Sequence, residues 1–112
     1  MSRPIQARID LAALRQNYLV AKECVSFSTK QPRAWAVIKA NAYGHGVREV
    51  VGALLELADG FAVASVEEAV VVRELHASAR ILLLEGCFEA AEYAQAAQLG
   101  LDVAVHTAEQ AE

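Results

Sequence analysis

Lys39 ends the apolar run Ala34–Ile38, and Tyr43, Gly44, His45 and Gly46 follow at once. A primary amine in that place has two readings. In the first it lays its stem along apolar surface and keeps its ammonium in water. In the second, apolar walls disfavour the charged form and lower its proton affinity. A neutral amine attacks aldehydes and serves as a base. The turn that follows favours the second reading, because a strand-end lysine facing a glycine-rich turn is poorly explained as mere surface. Schiff-base formation with pyridoxal phosphate is the leading use of such a lysine.

A nucleotide-binding reading competes. Gly44-His-Gly46-Val-Arg-Glu49 follows a strand and opens a helix, as a dinucleotide fingerprint requires. Glu49 stands where the third glycine belongs, and the first glycine comes several residues too late for the tight turn. That reading also leaves Lys39 without a purpose.

The elements that must position these residues are legible as periodicities. Ala34–Ile38, Phe61–Ala64, Ile81–Leu84 and Leu101–Val105 are near-continuous apolar runs, which predict strands buried on both faces. Asp10 is placed to cap a first helix carrying Leu11, Leu14, Tyr18, Ala21 and Val25. Residues 26–33 read as its polar exit loop. Val47, Val50, Val51, Leu54, Leu55 and Ala58 share one helical face, with Gly60 as the stop. Ser65 and Glu68 have capping-box spacing, and Ala69, Val72 and Leu75 continue that helix. Phe88, Ala91, Ala94 and Ala97 predict another, closed by Gly100. Thr107 and Gln110 open a last one.

Strands alternating with helices predict βα units and a parallel sheet. The fold expected is α/β, the N-terminal part of a (β/α)8 TIM-type barrel, since a whole barrel takes about 250 residues. Residues 1–112 are then one portion of the barrel domain, truncated before its second half. Ligand sites in such folds lie at the C-terminal strand ends. Lys39, Ser65, Glu85 and His106 hold those positions. Alternation along a strand puts Lys39, Val37 and Trp35 on one face and Ala36 and Ile38 on the other. Trp35, well below the strand end, reads as core.

Composition excludes some classes. Of 112 residues 55% are hydrophobic, enough for a real core, and the net charge is −4. No basic face for nucleic acid is expected. No run has the length of a membrane span or a secretory signal, so a cytoplasmic protein is expected. Cys24 and Cys87 lack metal-ligand or CxxC spacing and read as free thiols, with a disulfide between them as the alternative; no metal site is expected.

Residues 36–46, Ala-Val-Ile-Lys-Ala-Asn-Ala-Tyr-Gly-His-Gly, resemble the cofactor-attachment motif of alanine racemases. Asp59-Gly-Phe-Ala-Val-Ala-Ser-Val-Glu-Glu68 and Ile81-Leu-Leu-Leu-Glu-Gly86 are similar to further stretches of that family, the latter as in catabolic-type members. The resemblance runs from Arg8-Ile-Asp-Leu11 to His106. It implies a pyridoxal 5′-phosphate enzyme interconverting L- and D-alanine, for peptidoglycan precursors or alanine catabolism. Lys39 would be the catalytic, aldimine-forming lysine. Tyr43 would bind the cofactor phosphate, with Gly44 and Gly46 letting the chain approach it. The family's barrel is followed by a β-rich domain, and two chains of a homodimer build each site. The second base, a tyrosine of the partner chain, and most phosphate ligands would lie outside residues 1–112, so this segment alone is expected to be inactive. The alternatives are a racemase of another amino acid and a non-catalytic pyridoxal-phosphate-binding barrel. His45 suits turn stabilisation or cofactor contact. His76 reads as solvated, His106 as a helix cap, and Glu85 as a barrel-mouth residue or cap.

Overall fold

Each apolar run becomes a short parallel strand, and each helical periodicity a helix beside it. The computed structural model describes residues 4–25 and 31–111. In order these are α1 (Leu11–Cys24), β1 (Trp35–Val37), a short left-handed turn α2 (Lys39–Tyr43), α3 (Val47–Leu54) and β2 (Gly60–Val63). Then follow α4 (Val66–Leu75), β3 (Ile81–Leu83), α5 (Ala90–Leu99), β4 (Asp102–Val103) and α6 (Ala108–Ala111). Residues 26–30 of the expected exit loop lie outside the described residues.

The four strands are parallel and adjacent in chain order, β1-β2-β3-β4. Helices α1, α3, α4 and α5 touch in succession on one side of the sheet. Sequential order with one-sided helices is the winding of a barrel, whereas a doubly wound sheet reverses its order and covers both faces.

Register explains the core. Ala36, Phe61 and Ile81 pair across β1, β2 and β3, and all three are buried beneath the helices. Val63 and Leu83 form the next row, met by Val51, Val66 and Val72 from α3 and α4. Burying each large apolar side chain here contributes about 1.5–3 kcal/mol. The opposite face is uncovered at β1: Trp35 is 41% and Val37 38% exposed. Trp35 is therefore not core in this chain, contrary to the reading from its depth in the strand. It lies on the face away from the helices.

Other sequence expectations shift for local reasons. Helix α3 ends at Leu54, and Gly60 opens β2 instead of closing the helix. A Cβ on Gly60 would stand 2.5 Å from Cζ3 of Trp35, so the indole occupies the space a side chain would need. Phe88 lies outside α5 and is 66% exposed. The buried side of α5 centres on Ala96 and Leu99, not on Ala91, Ala94 and Ala97. An alanine-rich helix carries little apolar contrast, and Leu99 decides which side turns inward. Its N-cap is Glu89, so Glu85 is an exposed turn residue and not a cap. Asp10 caps α1 as expected, accepting from the Ala13 amide at 3.0 Å. Gly100 closes α5 in the left-handed conformation at φ 67°. Gln110 Oε1 accepts from the His106 and Thr107 amides at 2.7 and 3.2 Å. His106 thus joins the cap of α6 through its backbone. His76 is the half-buried C-cap of α4. Both cysteines are free, and burial pushes the Cys87 thiol up.

A polar knot, not foreseen from sequence, ties α1 to the N-terminal ends of β1 and β2. The Asp59 carboxylate accepts from the Ala34 amide and the Lys22 ammonium, each at 2.9 Å. The Tyr18 hydroxyl accepts from the Asp59 amide at 2.9 Å and donates to the Ala34 carbonyl at 3.0 Å. Burial alone would push the Asp59 carboxyl up, but the Ala34 amide and Lys22 outweigh it and hold it below its ordinary value. A lowered folded-state value means that the charged form stabilises the fold. That contribution is present above the ordinary carboxylate range and is lost as pH falls through the folded value. Asp59→Ala should lower the urea-unfolding free energy of the full-length protein by about 2 kcal/mol at neutral pH. The gap from wild type should narrow as pH falls below 3.8, the ordinary value of the group.

Candidate functional site

The ladder of β1 continues one residue beyond the strand, where the Ile38 amide donates to the Ala62 carbonyl at 2.9 Å. Lys39 leaves the sheet at this C-terminal end and is half-buried. Among the described residues its ammonium has no ion-pair or hydrogen-bond partner.

The backbone then reverses hand. Ala40, Asn41, Ala42 and Tyr43 have φ of 53°, 55°, 56° and 56°. A left-handed conformation costs a non-glycine residue about 1–2 kcal/mol, so this turn persists only because its surroundings over-determine it. The Ala42 amide donates to the Ile38 carbonyl at 2.9 Å, and Ala42 itself is buried in the core. Gly44 and Gly46 complete the turn at φ 86° and 95°. The Gly46 amide reaches back to the Asn41 carbonyl at 3.0 Å. Asn41 Oδ1 accepts from the Val47 amide at 2.9 Å and so supplies an acceptor at the start of α3. His45 Nδ1 lies 2.9 Å from the Ala42 carbonyl. A carbonyl only accepts, so Nδ1 carries the proton in that contact. His45 therefore stabilises the turn.

The sequence anticipated freedom at the two glycines but not four residues of the opposite hand before them. Asparagine at position 41 was the available signal, since it tolerates this conformation better than most. The structure places Lys39 and Tyr43 at the two ends of the same turn. Tyr43 is 58% exposed. A partner-free amine, a phenol and a strained turn at the C-terminal end of a parallel strand suit an aldehyde-bearing, anionic cofactor. The same turn belongs beside Glu68, which sequence reading took for a helix cap. Its carboxylate instead accepts from the Ala40 and Ala64 amides at 2.8 and 2.7 Å. Ser65 Oγ alone caps α4 as expected, accepting from the Glu68 amide at 3.2 Å.

Fold and site define an α/β chain, part of a TIM-type barrel, with a reactive-lysine candidate at its first strand. Comparison with known proteins narrows the class. The family description "Alanine racemase, N-terminal domain" matches residues 9–112, and the chain belongs to the alanine racemase family. It is 64% identical over 110 residues to the biosynthetic alanine racemase of Pseudomonas aeruginosa, covering 98% of this chain and 30% of that protein. It is 49% identical over 107 residues to the catabolic alanine racemase of Klebsiella aerogenes, covering 96% of this chain and 29% of that one. The crystal structure of the Pseudomonas aeruginosa biosynthetic enzyme superposes with a TM-score of 0.83 at 65% identity, over 91% of this chain and 27% of that chain. The alanine racemase of Bartonella henselae with covalently bound pyridoxal phosphate superposes with a TM-score of 0.72 at 32% identity, over 85% and 27%. The chain thus spans about a third of the length of the relatives it matches.

Two substitutions test the turn. Asn41→Ala removes both the tolerance for positive φ and the acceptor for the Val47 amide, and should destabilise the full-length protein by about 1–2 kcal/mol. Asn41→Gly restores the backbone freedom and should lose less. Paired urea titrations check the order; equal losses would mean that the backbone conformation carries none of the effect.

Proposed function

We propose that the protein carrying this chain interconverts L- and D-alanine, with pyridoxal 5′-phosphate held on Lys39. The observation that carries the reading is the partner-free Lys39 ammonium at the exit of β1, presented by a left-handed turn in a chain of this family. Residues 1–112 form the N-terminal portion of the cofactor-binding barrel. The full protein is a cytoplasmic homodimer whose small-molecule substrate is alanine. Among the described residues, no helix is long and apolar enough to cross a membrane.

Lys39 and Tyr43 are the residues of this chain that would hold the cofactor. With the cofactor bound, the Lys39 amine would hold it at its aldehyde carbon, with loss of water, and the Tyr43 hydroxyl would donate to its phosphate. When bound, pyridoxal phosphate acidifies the Cα–H of an attached amino acid by drawing its electron pair into the ring. Lys39, once its amine is free of the cofactor, would take or return the Cα proton on one face of the substrate. Among the described residues no side chain ties up the Lys39 ammonium and keeps it from that role. Racemisation also needs a proton donor or acceptor on the opposite face. Tyr43 is committed to the phosphate, and His45 to the Ala42 carbonyl. On this reading the second base lies outside residues 1–112; the family resemblance implies a tyrosine of the partner chain.

In the full-length protein, Lys39→Ala should abolish the visible absorbance of bound cofactor and leave none fixed after borohydride reduction. Cofactor mapped to Lys22 or Lys30 instead would refute the site. A coupled D-alanine assay should register turnover in wild type and none in Lys39→Ala. Cofactor capture without turnover of alanine or any other amino acid would make the protein a cofactor-binding barrel.

Tyr43→Phe keeps the ring and removes one phosphate hydrogen bond, worth about 1–2 kcal/mol. Cofactor affinity should weaken roughly tenfold, as read by equilibrium titration of the apoprotein. An unchanged dissociation constant would remove Tyr43 from the phosphate site.

A further inference from the structure

We infer that Glu68 is a positioning residue for Lys39, acting through the backbone at the ends of β1 and β2; the inference rests on the proposed role of Lys39. The carboxylate spans two strands. Oε2 accepts from the Ala40 amide at 2.8 Å, and Oε1 from the Ala64 amide at 2.7 Å. Both donors sit where the sheet stops pairing. The last ladder bond of β1 is Ile38 to Ala62, and the chain turns left-handed from Ala40 onward. Among the described residues neither amide has another protein partner; the Ala40 amide is exposed and would turn to water without Glu68, so what is lost there is the anchor that orients the peptide plane.

Geometry makes Ala40 the sensitive point. Its amide nitrogen belongs to the peptide bond that begins at the Lys39 carbonyl. Fixing that plane fixes the Lys39 backbone, and with it the direction in which the side chain leaves the sheet. The other oxygen is anchored on β2, so Lys39 is referenced to the neighbouring strand as well as to its own. Glu68 is in turn held rigid. It lies in the first turn of α4, where the helix dipole favours a negative charge, and its own amide is tied to Ser65 Oγ at 3.2 Å. A glutamine keeps the size of this side chain but has one acceptor oxygen. Its NH2 group would face one of the two amides, donor against donor.

The test uses the full-length apoprotein and the variants Glu68→Gln and Glu68→Ala. Three measurements are made: the rate of visible-band formation with pyridoxal phosphate, the steady-state constants for alanine, and amide exchange at Ala40 and Ala64. Positioning predicts faster exchange at both amides in each variant. It also predicts capture by Lys39 and kcat slowed about tenfold or more, since small misplacements of a reacting group cost rate steeply. KM should change little, and the melting temperature of Glu68→Gln should stay close to wild type. Faster exchange with wild-type capture rate and kcat overturns the positioning role. Loss of folding in both variants overturns it too, making Glu68 purely structural. Lys39→Ala runs alongside. If it still captures cofactor on a borohydride-fixed amine, the proposed function fails, whereas a wild-type rate in Glu68→Gln with no capture by Lys39→Ala sinks only the role of Glu68.

Discussion

Everything at this site depends on a change of backbone hand directly after Lys39. A strand that simply continued would carry the lysine over the rim of the sheet and into a right-handed helix. Here four non-glycine residues take positive φ in succession, a conformation that L-amino acids resist. The turn is closed by its own hydrogen bonds to Ile38, Asn41 and Ala42. It is pinned below by the buried Ala42 and at its ends by Glu68 and Asn41. Strain of this kind persists only where neighbours outweigh it. Its consequence is a lysine and a tyrosine delivered from one rigid loop.

The sheet separates stability from chemistry along its own axis. At the N-terminal strand ends, Asp59, Lys22 and Tyr18 bind helix α1 to the bases of β1 and β2. At the C-terminal ends, Glu68 bridges the same two strands, beside a lysine that has no partner among the described residues. Both carboxylates satisfy backbone amides, but only Glu68 does so beside Lys39. This division is the general logic of barrels, where the loops after the strands carry function and the opposite face carries structure. Arg73 serves the structural end in the same manner. Its guanidinium donates to the carbonyls of Leu99, Ala77 and Ala79 at 2.9, 2.9 and 2.6 Å, satisfying chain ends that α4 and α5 leave open.

The face of the sheet away from the helices has a different character. Trp35 and Val37 are exposed on it, and Gly60 is cut down to a hydrogen so that the indole can lie across β2. Packing on this side is tight between neighbours and open above them. A side chain leaving β1 on this face, as Lys39 does by alternation from Trp35 and Val37, enters the space that a closed barrel encloses.

The amino-acid sequence alone determined the order of strands and helices, because apolar runs and helical periodicities are local properties of the chain. It also singled out Lys39 and Tyr43 and, through the motif around them, the family. Asp10, Ser65, Thr107 and Gly100 announced helix ends for the same reason: a cap is satisfied within a few residues of itself. Only the tertiary structure decided what Glu68, Asp59, Tyr18 and Arg73 do, since their partners lie far along the chain and nothing local marks them. It alone decided that Trp35 is uncovered, because burial depends on what faces a residue and not on its place in a strand. It decided the inward side of α5, where evenly spaced alanines left the periodicity without direction. Above all it decided the left-handed turn, since no local preference of Ala40 or Ala42 favours positive φ. That conformation exists because the core beneath it and the carboxylate beside it hold it there.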